Sequence, residues 1–132
     1  MDVLSLYLFV YGTLLDADNE FAVFMRGHCE FVKKGCFKGR LYDISEYPGA
    51  VADRHAQSLV YGSIYLMDDV FMVLKKLDDY EGYGPEQEQP NLFIRQLIEM
   101  ETNGPSIDCW VYLYNKAADG LSTIESGDYL NR

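Results

Sequence analysis

Two short stretches carry residue types suited to chemistry. In Tyr11-Gly12-Thr13-Leu14 an apolar run ends on a glycine, which tolerates unusual backbone angles and lets a ligand come close to the main chain. Consecutive N–H groups in such a turn can converge on one anion, a carboxylate or a developing oxyanion, with their dipoles fixed before any reaction begins. The same four residues also suit a turn that only reverses the chain. Glu81 is the second candidate, four residues after Leu77 and seven after Leu74, on the continuation of the helical face that those leucines bury. A carboxylate pointing inward there, among Tyr80, Tyr83 and other aromatics, has its pKa raised towards neutrality, as a general acid–base requires. A helix that frays at Asp79 would instead turn Glu81 to solvent.

Positioning these residues falls to a recognisable set of elements. Leu6 to Tyr11 is rich in aromatic and β-branched residues and reads as a buried strand entering the turn at Gly12. Asp16 or Asp18 can cap a short helix carrying Phe21, Phe24 and Met25, which Gly27 can end. Strands are expected at Phe31 to Phe37, Gly39 to Ile44 and Ser58 to Leu66, with Ser45-Glu46-Tyr47-Pro48-Gly49 as a turn. Asp68 and Asp69 offer a cap to a second helix with Val70, Phe71, Leu74 and Leu77 on one face, ending near Gly82. The polar stretch Gly82 to Pro90 is a loop, either a lid or a plain surface connection. Leu92 to Met100 and Ile107 to Tyr114 flank Asn103-Gly104 and form an antiparallel hairpin. Six strands and two helices favour an α+β fold on a curved, largely antiparallel sheet or small barrel.

Other constellations are weaker. His28, Cys29 and Cys36 match no ligand spacing, and neighbours on a strand face opposite ways, so neither a metal site nor a Cys–His nucleophile is expected. His55 sits in a polar stretch and reads as solvated. Asp68-Asp69 and Asp78-Asp79 lack the alternating donors and central glycine of a calcium loop, and capping and solvent exposure account for them. Gly82-Tyr83-Gly84 runs at once into proline and fits no nucleotide fingerprint. Arg95 lies in a strand pattern, where it either pairs with Glu99 or Glu101 or recognises a carboxylate in a site.

Composition narrows the partners. The 132 residues are 48% hydrophobic and 24% charged, the balance of a single folded globular domain over 1–132. With 21 acidic against 11 basic residues the formal charge is −10, which repels nucleic acid at long range while leaving room for a small anion held by local N–H groups. Three cysteines without CxxC spacing suggest reduced thiols in the cytoplasm, and the apolar run Leu4 to Val10 is far too short to span a bilayer. Oligomeric state leaves no mark in the sequence.

Tyr11 to Leu14 together with Leu77-Asp78-Asp79-Tyr80-Glu81-Gly82 resemble the two signature elements of the gamma-glutamylcyclotransferase-like (AIG2-like) family. Gly39 to Asp43 with Tyr47 to Val51, Val60 to Tyr65, Trp110 to Tyr114 and Ile124 to Tyr129 are similar to its further blocks, in order and along nearly the whole chain. The resemblance implies a compact mixed β-barrel with flanking helices. It further implies a substrate pocket beside Tyr11, Gly12, Thr13 and Leu14, with Glu81 as the catalytic acid–base. Arg95 is retained from a family pattern in which a tyrosine precedes it by two residues. Here that position is Phe93, so its hydroxyl must come from Tyr83, Tyr112 or Tyr114. The implied reaction releases 5-oxoproline from a gamma-glutamyl amine or amino acid and needs no metal or organic cofactor. A non-catalytic binding module on the same fold is the alternative. Hydrolysis or acyl transfer is a third outcome, for which no Ser–His or Cys–His pair is evident.

Overall fold

The computed structural model describes residues 5–12, 14, 18–45 and 47–131. Its elements run β1 (Tyr7–Val10), α1 (Glu20–His28), β2 (Cys29–Asp43), β3 (Pro48–Ala52), β4 (Leu59–Met67), α2 (Val70–Glu81), β5 (Phe93–Met100), β6 (Ile107–Tyr114) and β7 (Ser122–Thr123). A 3-10 turn at Tyr129–Asn131 follows. The strands hydrogen-bond in the order β3-β2-β4-β1-β6-β5, with β7 beside β2. Only the β1–β6 pair is parallel among these. The sheet curls until its ends meet: Cys36 in β2 and Glu101, just past β5, exchange both backbone hydrogen bonds, at 3.0 and 2.8 Å. The fold is thus α+β, two helices on a sheet curled into a half-barrel, in line with the curved, largely antiparallel sheet or small barrel that the sequence favours.

Alternation along β1 divides the core. Phe9 points to a cluster of strand residues that includes Phe37, Leu41, Val60, Ile64 and Val111. Leu8 points to the opposite face, where Met25 of α1 and Val73, Leu74 and Leu77 of α2 pack on Met67, Phe93 and Tyr112. Both helices therefore lie on one outer face of the sheet.

Several boundaries differ from the sequence expectation, each for a local reason. The two strands expected at Phe31 to Phe37 and Gly39 to Ile44 are one, fifteen residues long, bent by a register shift between Phe31 and Lys33 rather than broken. Gly27 does not end α1, which runs to His28 and passes straight into β2. Its cap is Asn19, whose side chain accepts from the Ala22 N–H at 2.8 Å, while Asp16 lies outside the described residues. Pro48 and Gly49 belong to a strand, with proline at its first position, where no ladder donor is needed. On α2, Phe71 is 75% exposed, because the buried stripe runs Val70, Val73, Leu74 and Leu77. Among the described residues no helix is long and apolar enough to cross a membrane.

Candidate active site

The end of α2 decides where its carboxylates go. Asp69 caps the start, accepting from the Met72 N–H at 3.2 Å. Gly82 adopts the left-handed conformation (φ 75°) and returns its N–H to the Asp78 carbonyl, so the helix stops with Glu81 as its last residue. Fraying at Asp79 does not occur. Glu81 instead lines a cavity of about 420 Å³ together with Tyr11, Gly12 and Leu14 at the end of β1, Tyr47 and Pro48 before and on β3, and Phe93 and Tyr112 on β5 and β6. Thr13, the remaining member of the turn, lies outside the described residues.

Within this cavity the Glu81 carboxyl is the one charged group among the described lining residues. No hydrogen bond or ion pair compensates it among the described residues, and loss of solvation pushes its pKa up from 4.5 to about 7. The negative end of the α2 dipole acts in the same direction. At neutral pH such a group both accepts and donates a proton readily.

The phenols nearby are engaged in the scaffold. Tyr11 donates its hydroxyl proton to the Tyr112 carbonyl oxygen at 2.6 Å and accepts the Ala50 N–H at 3.2 Å. Tyr112 donates to the Asp78 carboxylate at 2.6 Å. Burial drives both phenol pKa values far up, for Tyr112 with the Asp78 bond and for both with the charge of Glu81 adding to it. Neither hydroxyl ionises in the neutral range.

Arg95 is not brought to the Glu81 cavity. It lines a second, more open cavity of about 710 Å³ on the other side of the last turn of α2. There it grips Asp78 with two bonds, Nε at 2.8 Å and Nη2 at 3.1 Å, in place of the Glu99 or Glu101 pairing that its strand suggests. Burial opposes its charge, and Asp78 more than restores it. The faces of Trp110 and Tyr83 lie 4.9 and 5.6 Å from the guanidinium carbon. Asp78 is consequently a half-buried partner and not the solvated acid expected from its pairing with Asp79. The loop after α2 borders this second cavity, braced by the Asn91 side chain, which bonds the Gly84 N–H and the Gly84 and Glu88 carbonyls.

Glycine at position 12 serves space rather than backbone angle, since its φ is not positive. A Cβ there would sit 3.0 Å from Cγ of Pro48. Tyr80, expected beside Glu81, lies flat on Phe21 of α1, ring centroids 4.0 Å apart, whereas Tyr83, expected there too, does not line this cavity. Sequence reasoning missed a second aromatic wall, Tyr47, which packs on Phe93 at 5.9 Å. Its place next to Pro48 in a turn-rich stretch is the available signal. Of the three tyrosines able to stand in for a hydroxyl at Phe93, only Tyr112 borders the Glu81 cavity. Tyr83 borders the other, and Tyr114 packs edge-on against Phe93 itself. Among the described residues no group of three or more His, Cys, Asp or Glu is placed to hold a metal ion.

This architecture has relatives. Residues 8–131 match the sequence model of the family described as gamma-glutamyl cyclotransferase, AIG2-like. The chain is 37% identical over 93 residues to the gamma-glutamylcyclotransferase family protein YtfP of Escherichia coli K12, covering 70% of this chain and 69% of that protein. The solution NMR structure of ytfP from Escherichia coli superposes with a TM-score of 0.68 at 29% identity, over 96% of this chain and 97% of that one. The gamma-L-glutamyl-butirosin B gamma-glutamyl cyclotransferase of Niallia circulans is 31% identical over 110 residues, 83% of this chain and 67% of that protein.

Proposed function

Because the chain belongs to the AIG2-like gamma-glutamyl cyclotransferase family, we propose that it converts a gamma-glutamyl amine or amino acid into 5-oxoproline and the free amine, with Glu81 moving the protons. The observation that carries this reading is the carboxyl of Glu81, uncompensated among the described residues and with a pKa of about 7, in one cavity with the turn that starts at Tyr11.

The chemistry follows from the substrate. In a gamma-glutamyl compound the α-nitrogen can fold back onto the side-chain carbonyl carbon and form a five-membered lactam as the bond to the leaving nitrogen breaks. Attack is intramolecular, so the protein's share is to hold the bent conformer, take a proton from the α-ammonium, stabilise the oxyanion and return a proton to the leaving nitrogen. The α-nitrogen sheds two protons on its way from ammonium to lactam; Glu81 takes each in turn and passes it to the leaving nitrogen, so the amine departs in its ammonium form and Glu81 finishes in its starting state. An α-ammonium titrates at about 8 or somewhat above, close enough to Glu81 that neither transfer is steeply uphill. The main-chain N–H groups of Gly12, Thr13 and Leu14 take the substrate's α-carboxylate or the developing oxyanion. Tyr47, Tyr80 and Phe93 enclose the rest. The cytoplasm suits this reading, since Cys29, Cys36 and Cys109 are free thiols.

Incubation with a panel of gamma-glutamyl amines and amino acids, with 5-oxoproline read by mass spectrometry, tests it. The wild-type protein is expected to release product, and Glu81→Gln to lose on the order of 10²- to 10⁴-fold in kcat with folding intact. The kcat/KM of the wild type should fall below pH of about 7 as Glu81 protonates. Equal product from both proteins would remove Glu81 from the chemistry, and product from neither would favour a binding module.

A further inference from the structure

We infer that Tyr112 fixes the separation between Glu81 and the Tyr11 turn, gripping α2 with its hydroxyl and Tyr11 with its carbonyl, and that Asp78 and Arg95 complete this frame without touching substrate. The kinetic side of this inference rests on the cyclotransferase reading, but its structural side does not.

The geometry is specific. From one position on β6, the Tyr112 hydroxyl donates to Asp78 at 2.6 Å and its main-chain oxygen accepts the Tyr11 hydroxyl at 2.6 Å. Asp78 stands one turn before Glu81, and its backbone carbonyl takes the Gly82 capping N–H and the Tyr83 N–H, the latter at 2.9 Å. Whatever holds Asp78 therefore holds the turn that ends in Glu81. Arg95 closes the frame from β5, paired in register with Tyr112. On the other side Tyr11 is tied to Ala50 of β3. Each phenol has one proton, and each proton is spent on the scaffold at short range, leaving neither hydroxyl as a donor to substrate. These two tyrosines are positioning residues.

The titratable groups facing the Glu81 cavity are Tyr11 just past β1, Tyr47 from the turn before β3, Tyr80 from α2 itself and Tyr112 from β6. Asp78 lies behind, on its own helix. A change in the Glu81 titration on loosening the frame hence reports its position and solvation.

The test is Tyr112→Phe, which keeps the ring and deletes the hydroxyl. The side-chain carboxyl of Glu81 is titrated by carbon-13 NMR without any substrate, its resonance assigned by its loss in Glu81→Gln. Loosening the last turn lets water reach the carboxylate, so the midpoint should fall from about 7 towards the ordinary 4.5, by about one unit or more. In turnover, kcat should fall about tenfold to a hundredfold with KM within about twofold. Arg95→Lys, which retains the charge but not the two-pronged grip, should move both readouts the same way by less. An unchanged midpoint in both variants overturns the inference, as does a KM raised about tenfold with kcat kept, which would make the hydroxyl a substrate contact. If the wild type turns over no gamma-glutamyl compound, the proposed reaction fails while the NMR midpoint still decides this one.

Discussion

Asp78 and Glu81 lie three residues apart on the last turn of α2, and they face different cavities under opposite conditions. Asp78 receives three charge-assisted bonds, two from Arg95 and one from Tyr112. Glu81 receives none among the described residues and is left with the cost of burial, which surfaces as a raised pKa. Two half-buried acids on one helix end thus have different roles. Where donors meet the carboxylate, burial becomes architecture. Without them it becomes a proton store near neutrality.

The contrast breaks most visibly in turnover, where Glu81→Gln should lose on the order of 10²- to 10⁴-fold while leaving the fold unharmed. The reverse pattern is expected for Asp78→Ala. It strands Arg95 half-buried among Trp110 and Tyr83 and should cost about 2–3 kcal/mol, somewhat below a fully buried pair because each side chain keeps 21% of its exposure. Urea denaturation measures it. A loss under about 0.5 kcal/mol would make this an ordinary surface pair and dissolve the distinction.

The Glu81 half of this contrast was legible in the sequence and the Asp78 half was not. Glu81 follows from local information: a leucine periodicity, a cap at Asp69 and a glycine stop, all within one helix. The hairpin strand Ile107–Tyr114 was legible for the same reason, as an uninterrupted run behind a turn. Asp78 depends on partners 17 and 34 residues away, across a loop and a hairpin, and no periodicity points to them. Strand β3 was hidden likewise, because Pro48-Gly49 carries turn residues and becomes a strand only by pairing with β2. The turn at Tyr11 is legible from its glycine, but the positive φ that glycine permits is not used there, and its closeness to Pro48 is not encoded in neighbouring residues.

A subtler separation is in the pH dependence of stability. Glu81 titrates near 4.5 unfolded and near 7 folded, so between these values the native state keeps a proton that the unfolded chain has released. Stability contributed by this group is complete below about 4.5 and is lost as pH rises through about 7. Full conversion of the shift gives about 3 kcal/mol, and the partial exposure of the carboxylate reduces this to about 1–2. Glu81→Gln should therefore match the wild type near pH 4 and exceed it by about 1–2 kcal/mol at pH 8. A variant no more stable at pH 8 would mean that Glu81 is solvated.

The smallest expected effect concerns the opposite wall. In Gly12→Ala the new methyl meets Cγ and Cδ of Pro48 at 3.0 and 3.3 Å, so the start of β3 must give by a few tenths of an ångström. Against this crowding stands a gain of about 0.4–1 kcal/mol from restricting the unfolded chain, with no strain from φ, because the angle is not positive. The two nearly cancel, and stability should change by less than about 1 kcal/mol. The displaced wall is shared by Tyr47 and Pro48, which border the cavity but lie across it from the acid–base, so KM should rise severalfold while the pH profile set by Glu81 stays in place. A shift of that profile instead would show that the turn and the carboxylate move as one body, and that Tyr112 holds them more stiffly than β3 holds Gly12.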